Sequence, residues 1–187
     1  MNRQILFAFL LGLLLSGGIA RAAHLADPGR LLPADGVWAK AAETELTAFE
    51  HTTGIRILVE FHLKSPATDE DKVPGAYMSA LSRKLGTLQR GVLIVYFADD
   101  PDWRVWIGDE LTATFVGKPG TVQELTASGA IHDVKEAMLT AARAKADATF
   151  AEVQKSAPAD QPPTPAQHLV LQTDALLDAL TGRLRTK

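Results

Sequence analysis

Three carboxylates, Asp27, Asp109 and Glu110, are the residues of this 187-residue chain best suited to chemistry, and Gln89, Arg90 and Gly108 are their expected neighbours. Carboxylate oxygens gathered at one point suit calcium or magnesium, and such a centre suits metal-assisted attack on a phosphoester. The three acids are therefore candidate catalytic groups and candidate metal ligands. Gln89, Arg90 and Gly108 are candidate binding positions.

The order of elements is what should bring them together. Residues 55–63 (IRILVEFHL) alternate, with Ile55, Ile57, Val59, Phe61 and Leu63 on one face, and read as a strand. Residues 75–88 carry Tyr77, Leu81, Leu85 and Leu88 at helical spacing. Residues 91–98 (GVLIVYFA) form a continuous apolar run, as in a strand buried on both faces. After the turn signal Asp99-Asp100-Pro101-Asp102 comes a second strand, residues 103–107, so these two make a hairpin. A strand, crossover helix and strand form a right-handed parallel unit, so Gly54 and Gly91 open their strands at the same edge. The hairpin strand returns Gly108 and Asp109 to that edge. Gln89, Arg90, Gly108, Asp109 and Glu110 should converge there. The lead-in from Asp27 to Pro33 spans about 20 Å if extended, enough to carry Asp27 across the domain to the same corner.

The flanks divide the chain. Residues 1–22 read as a signal peptide: Arg3, the eleven-residue apolar run Ile5 to Leu15, then Ala20-Arg21-Ala22 as a cleavage site. The alternative is an uncleaved membrane anchor, against which length speaks: eleven helical residues span only about 16 Å, short of a ~30 Å hydrocarbon core. No later stretch reaches 18 apolar residues, so no integral membrane segment is expected after cleavage. Residues 23–155 form the α/β domain, with a first helix over 37–52 that Asp35 caps and Gly54 ends. A short helix is expected over 121–127 and a long Ala-rich one over 131–153, packing through Ile131, Val134, Met138 and Leu139. Residues 156–165 are a Pro-rich linker, and 166–187 hold a last helix with Leu169, Leu176, Leu177 and Leu180 as its stripe.

Composition excludes several classes. With 47% hydrophobic and 22% charged residues, the chain is not disordered. Its net charge of -3 argues against nucleic-acid binding, which needs a basic footprint. With no Cys, disulfides, thiolate metal sites and Cys nucleophiles are ruled out. The five His (24, 51, 62, 132, 168) show no zinc spacing, and His62 reads as a solvated or helix-covered side chain. Gly117-Lys118-Pro119-Gly120-Thr121 is a loop without the phosphate-binding pattern, and no G-x-S-x-G elbow occurs. Trp103 and Trp106, three apart on one strand, point to opposite faces.

The stretch Gly91-Val92-Leu93-Ile94-Val95-Tyr96-Phe97-Ala98, a short acidic turn, and Arg104-Val105-Trp106-Ile107-Gly108-Asp109-Glu110-Leu111 resemble the TPM domain family. That family includes thylakoid acid phosphatase-like, photosystem II repair-associated and periplasmic members. Asp27-Pro28-Gly29-Arg30-Leu31-Leu32 and Thr53-Gly54 before a strand are similar to the family's opening. The resemblance covers residues 25–150 by order of elements and 91–111 by motif. It implies a three-layer α/β/α sandwich: a small mixed sheet, made of the βαβ unit plus the hairpin, with helices on both faces. It also implies an extracytoplasmic or lumenal location. Some relatives are acid phosphatases, some bind a divalent cation such as calcium, and others are assembly modules. Where the family has Asp-Asn before its Gly-Val-Leu strand, this chain has Gln89-Arg90, and the second Gly of the family's corner is absent at 108–110. Arg90 is therefore expected to neutralise Asp109 or Glu110 in an ion pair.

The expected function is that of a periplasmic or secreted TPM-like module, non-catalytic, binding a protein partner of the cell envelope. The alternative is an acid phosphatase-like hydrolase working through Asp27, Asp109 and Glu110, with or without a divalent ion. No cofactor is expected; calcium is the ion the acidic edge would take.

Overall fold

The computed structural model describes residues 23–185; the expected signal peptide, residues 1–22, lies outside the described residues. Four strands, β1 (Leu25–Ala26), β2 (Arg56–His62), β3 (Gly91–Phe97) and β4 (Asp102–Ile107), form one sheet in that spatial order. β1, β2 and β3 are parallel, and β4 runs antiparallel to β3. The register places Arg56 beside Gly91 at one end and His62 beside Phe97 at the other. Ile107 pairs with Val92, so the end of β4 returns to the start of β3, as the hairpin requires.

Each face of the sheet has its own core. Ile57, Val59, Phe61, Val92, Ile94, Trp103, Val105 and Ile107 face α1 (Val37–Thr53), α3 (Thr112–Val116), α5 (Ala130–Ser156) and α6 (Pro165–Leu184). Leu58, Leu93, Val95 and Phe97 face α2 (Ala76–Leu85) through Met78, with Tyr77, Leu81, Leu85 and Trp106 at the margin. The result is a three-layer mixed α/β sandwich. Its two-faced burial follows from period-2 alternation in β2 and β4 and from the unbroken apolar run in β3. Trp103 and Trp106 divide between the two cores, as their spacing requires.

Local signals explain most boundaries. Gly54 takes a left-handed conformation (φ 68°) and its N–H closes α1 on Glu50 O. The other end of α1 departs from expectation: Gly36, not Asp35, holds the N-cap position, while Asp35 Oδ1 accepts Val37 N–H at 3.0 Å. Thr121 and Thr164 each close a full capping box, opening α4 (Val122–Ala127) and α6. The Asp109–Phe115 stretch, given no element from sequence, folds as a 3-10 turn over Asp109–Leu111 leading into α3. α6 is no appendage beyond its linker. Leu176, Leu180 and Leu184 are almost wholly buried in the principal core.

β1 is only two residues long, yet it is clamped. Glu43 accepts the His24 and Leu25 N–H groups at 2.9 and 3.1 Å. The buried His24 ring meets Ile57 O at 2.8 Å through Nδ1 and Glu50 Oε2 at 3.3 Å through Nε2. Among the described residues no helix is long and apolar enough to cross a membrane.

Candidate functional site

The corner that sequence reasoning singled out exists at the start of β3. Gly108 N–H bonds Gly91 O at 2.8 Å, Asp109 N–H bonds Leu88 O at 3.2 Å, and Glu110 N–H bonds Gln89 O at 2.9 Å. These main-chain bonds bring Gln89, Arg90, Gly108, Asp109 and Glu110 together. Gln89 Nε2 lies 3.5 Å from Asp109 Oδ2, and Arg90 reaches Glu110 Oε2 at 3.7 Å. The same guanidinium donates to Thr53 O at 3.4 Å, where α1 ends and carbonyls carry partial negative charge. Arg90 and Glu110 are each more than half exposed, so the pair is held loosely and is weak in energy.

Asp27 is not at this corner. β1 runs parallel to β2, with Ala26 beside Glu60, and Gly29 N–H bonds Phe61 O at 3.2 Å. Asp27 therefore leaves the sheet at its opposite end, some five strand residues or about 16 Å from the start of β3. Its two carboxylate oxygens accept Leu31 and Leu32 N–H, each at 2.9 Å. The lead-in was expected to cross the domain; instead it turns back on its own carboxylate. The expected catalytic and metal set of Asp27, Asp109 and Glu110 is thus not assembled. Among the described residues no group of three or more His, Asp or Glu is placed to hold a metal ion.

Asp27's end of the sheet carries a second polar group. His62 pairs with Glu60 at 2.8 Å, and Arg104 pairs with Asp71 at 2.7 Å while lying 4.9 Å over the Phe97 ring. Tyr77 packs on the same ring, 6.0 Å between centroids. Burial raises the Tyr77 pKa above its ordinary value, and Glu60 and Glu70 add to the rise. Each charge here has a partner on the protein, so the group reads as a pinned polar edge.

A groove of about 550 Å³ runs along the free side of β4, from Asp102 to Asp109, and so opens beside the corner. Met78 of α2 and Trp106 border it on one side; Ile131, Lys135 and Leu139 of α5 border it on the other. Lys135 Nζ lies 3.4 Å from Val105 O, and burial lowers its pKa below the usual lysine value. The Trp106 indole N–H is buried with no hydrogen-bond partner. Sequence reasoning missed this groove. The signal was present at Ile131, Lys135 and Leu139: a cation at i+4 spacing inside an apolar stripe.

No family model matches the chain, and no curated protein matches it. The fold is similar to the N-terminal domain of a protein from P. gingivalis solved by solution NMR, at 15% sequence identity and a TM-score of 0.46. That match covers 89% of this chain and 87% of the other.

Proposed function

We propose that this chain is an exported, non-catalytic binding module of the cell envelope, TPM-like in kind. The observation that carries the reading is Arg90. It stands between Glu110 and the carbonyl end of α1, where a divalent ion would need anionic ligands, and it already occupies Glu110 in an ion pair. Asp27, the third acid such a site would use, serves as a local cap at the far end of the sheet. The signal-like residues 1–22 and the TPM resemblance over 91–111 support export and kinship.

Two measurements test it. Calcium titrated into the protein should leave its melting temperature within about one degree, because a ligand of the native state raises stability by RT ln(1 + [L]/Kd). A general phosphomonoester should not be hydrolysed above background. A rise of several degrees at micromolar calcium, or hydrolysis lost in Asp109→Asn, would sink the reading in favour of a phosphatase-like enzyme. Mass spectrometry of the envelope fraction should find a mature N-terminus at Ala23; an intact Met1 start there would refute cleavage.

A further inference from the structure

β4 is a terminal strand, and its outer side is the floor of the groove. Gly108 N–H bonds Gly91 O across the hairpin, so by the alternation of an antiparallel ladder Arg104 and Trp106 also turn their main-chain groups toward β3. Trp103, Val105 and Ile107 turn theirs outward, into the groove. Lys135 confirms the direction, because it reaches Val105 O from that side. Open strand edges of this kind template the addition of another strand.

The walls specify what such a strand would carry. α5 runs antiparallel to β4. Lys135 meets Val105, and Leu139 borders Trp103 in a small adjoining cavity. Four helical residues rise about 6 Å, close to two residues of strand, so Ile131, Lys135 and Leu139 step past Ile107, Val105 and Trp103. On the other face, Met78 and Trp106 offer apolar surface. Asp102, Asp109 and Glu136 also border the groove, and Glu136 partly offsets the effect of burial on Lys135, but among the described residues none forms an ion pair with it; its hydrogen bond is the long one to Val105 O. A part-buried ammonium with no direct ion pair is complementary to an incoming anion.

We infer that the free edge of β4 binds an extended segment of a partner protein by strand addition, with an acidic side chain opposite Val105 that pairs with Lys135 and apolar side chains on either side of it. This rests on the binding-module reading and names its partner chemistry. Binding transfers Lys135 Nζ from Val105 O to the carboxylate and frees that carbonyl for a partner N–H. The charge-assisted bond replaces a long neutral one, and the ladder supplies direction and register.

The test uses the mature chain and blocked valine-rich heptapeptides with a central glutamate or glutamine, measured by fluorescence anisotropy and by amide NMR. The glutamate peptide should bind about tenfold more tightly than the glutamine one, and Lys135→Met should erase that ratio while keeping the weaker binding. N-methylation of the alternate peptide nitrogens that face β4 should abolish binding; methylation of the other set should not. Amide shifts should centre on Trp103, Val105 and Ile107, leaving Arg90 and Glu110 unmoved. Several results would overturn the inference: no binding at millimolar peptide, indifference to which nitrogens are methylated, or equal affinity for the two peptides. So would free acetate competing as well as the glutamate peptide, or a β4-to-β4 dimer of this chain seen in sedimentation. Failure of these peptides without phosphoester hydrolysis removes only this inference, whereas hydrolysis removes the binding-module reading beneath it.

Discussion

A Cβ on Gly108 would lie 2.5 Å from the carbonyl oxygen of Gln89 and 2.8 Å from that of Gly91. The backbone of Gly108 is ordinary extended chain, φ -61° and ψ 148°, so glycine is required here by close approach. Both blocking atoms belong to main chain already engaged in the corner's hydrogen bonds, and neither can swing aside. Gly108→Ala should therefore destabilise by about 1–3 kcal/mol, read from urea unfolding. An alanine variant as stable as the parent would show that the corner is more yielding than its bonds suggest.

Asp27 makes a contrasting prediction to Arg90. Asp27→Ala removes the acceptor of two main-chain N–H groups and should cost about 1–2 kcal/mol. Arg90→Ala breaks an exposed pair at 3.7 Å and should cost less than about 1 kcal/mol. Thermal melting of both variants checks the order; a larger loss at Arg90 would reverse the roles given to the two ends of the sheet.

The ease with which the strands and the difficulty with which Asp27 could be read have one cause. β2 and β4 declare themselves through side-chain alternation and β3 through an unbroken apolar run, each over six or seven residues, and the hairpin turn is written in Asp99-Asp100-Pro101-Asp102. The corner then follows from topology alone. β1 has two residues, too few for any periodicity, and its direction is set by Glu43, Glu50 and Ile57, all distant in sequence. Placing Asp27 therefore required tertiary contacts. The Thr-rich 109–116 stretch hid its two turns of helix for the same reason: Leu111, Phe115 and Val116 become a pattern only against the core they fill.

α6 should prove integral to the domain. Leu180 is fully buried in the principal core, so Leu180→Ala should cost about 2–5 kcal/mol with unfolding still a single transition. A second, earlier transition with little change in the main one would mean that α6 melts separately.

The two tyrosines give a pH prediction. Burial raises both pKa values above 10.0; Glu60 and Glu70 add to the rise at Tyr77 against Arg104, and Arg143 opposes it at Tyr96. The folded protein thus holds these protons longer than the unfolded chain does. Their contribution to stability is whole below pH 10.0 and is lost as pH rises through the higher folded values. Phenolate absorbance should appear at higher pH in the native protein than in urea, and overlapping curves would contradict it.

The seating of α6 also bears on how the chain is made. Synthesis runs from the N-terminus, and at ~5–20 residues per second the interval between completing β4 and completing α6 is on the order of ten seconds. Throughout it, the part of the principal core that Leu176, Leu180 and Leu184 will fill stays open, although α1, α3 and α5 already pack on the same core or come to do so. The nascent chain must carry those apolar positions unfilled until α6 emerges. Completion of the principal core therefore waits for α6, and any factor that shields nascent apolar surface has a defined period in which to act.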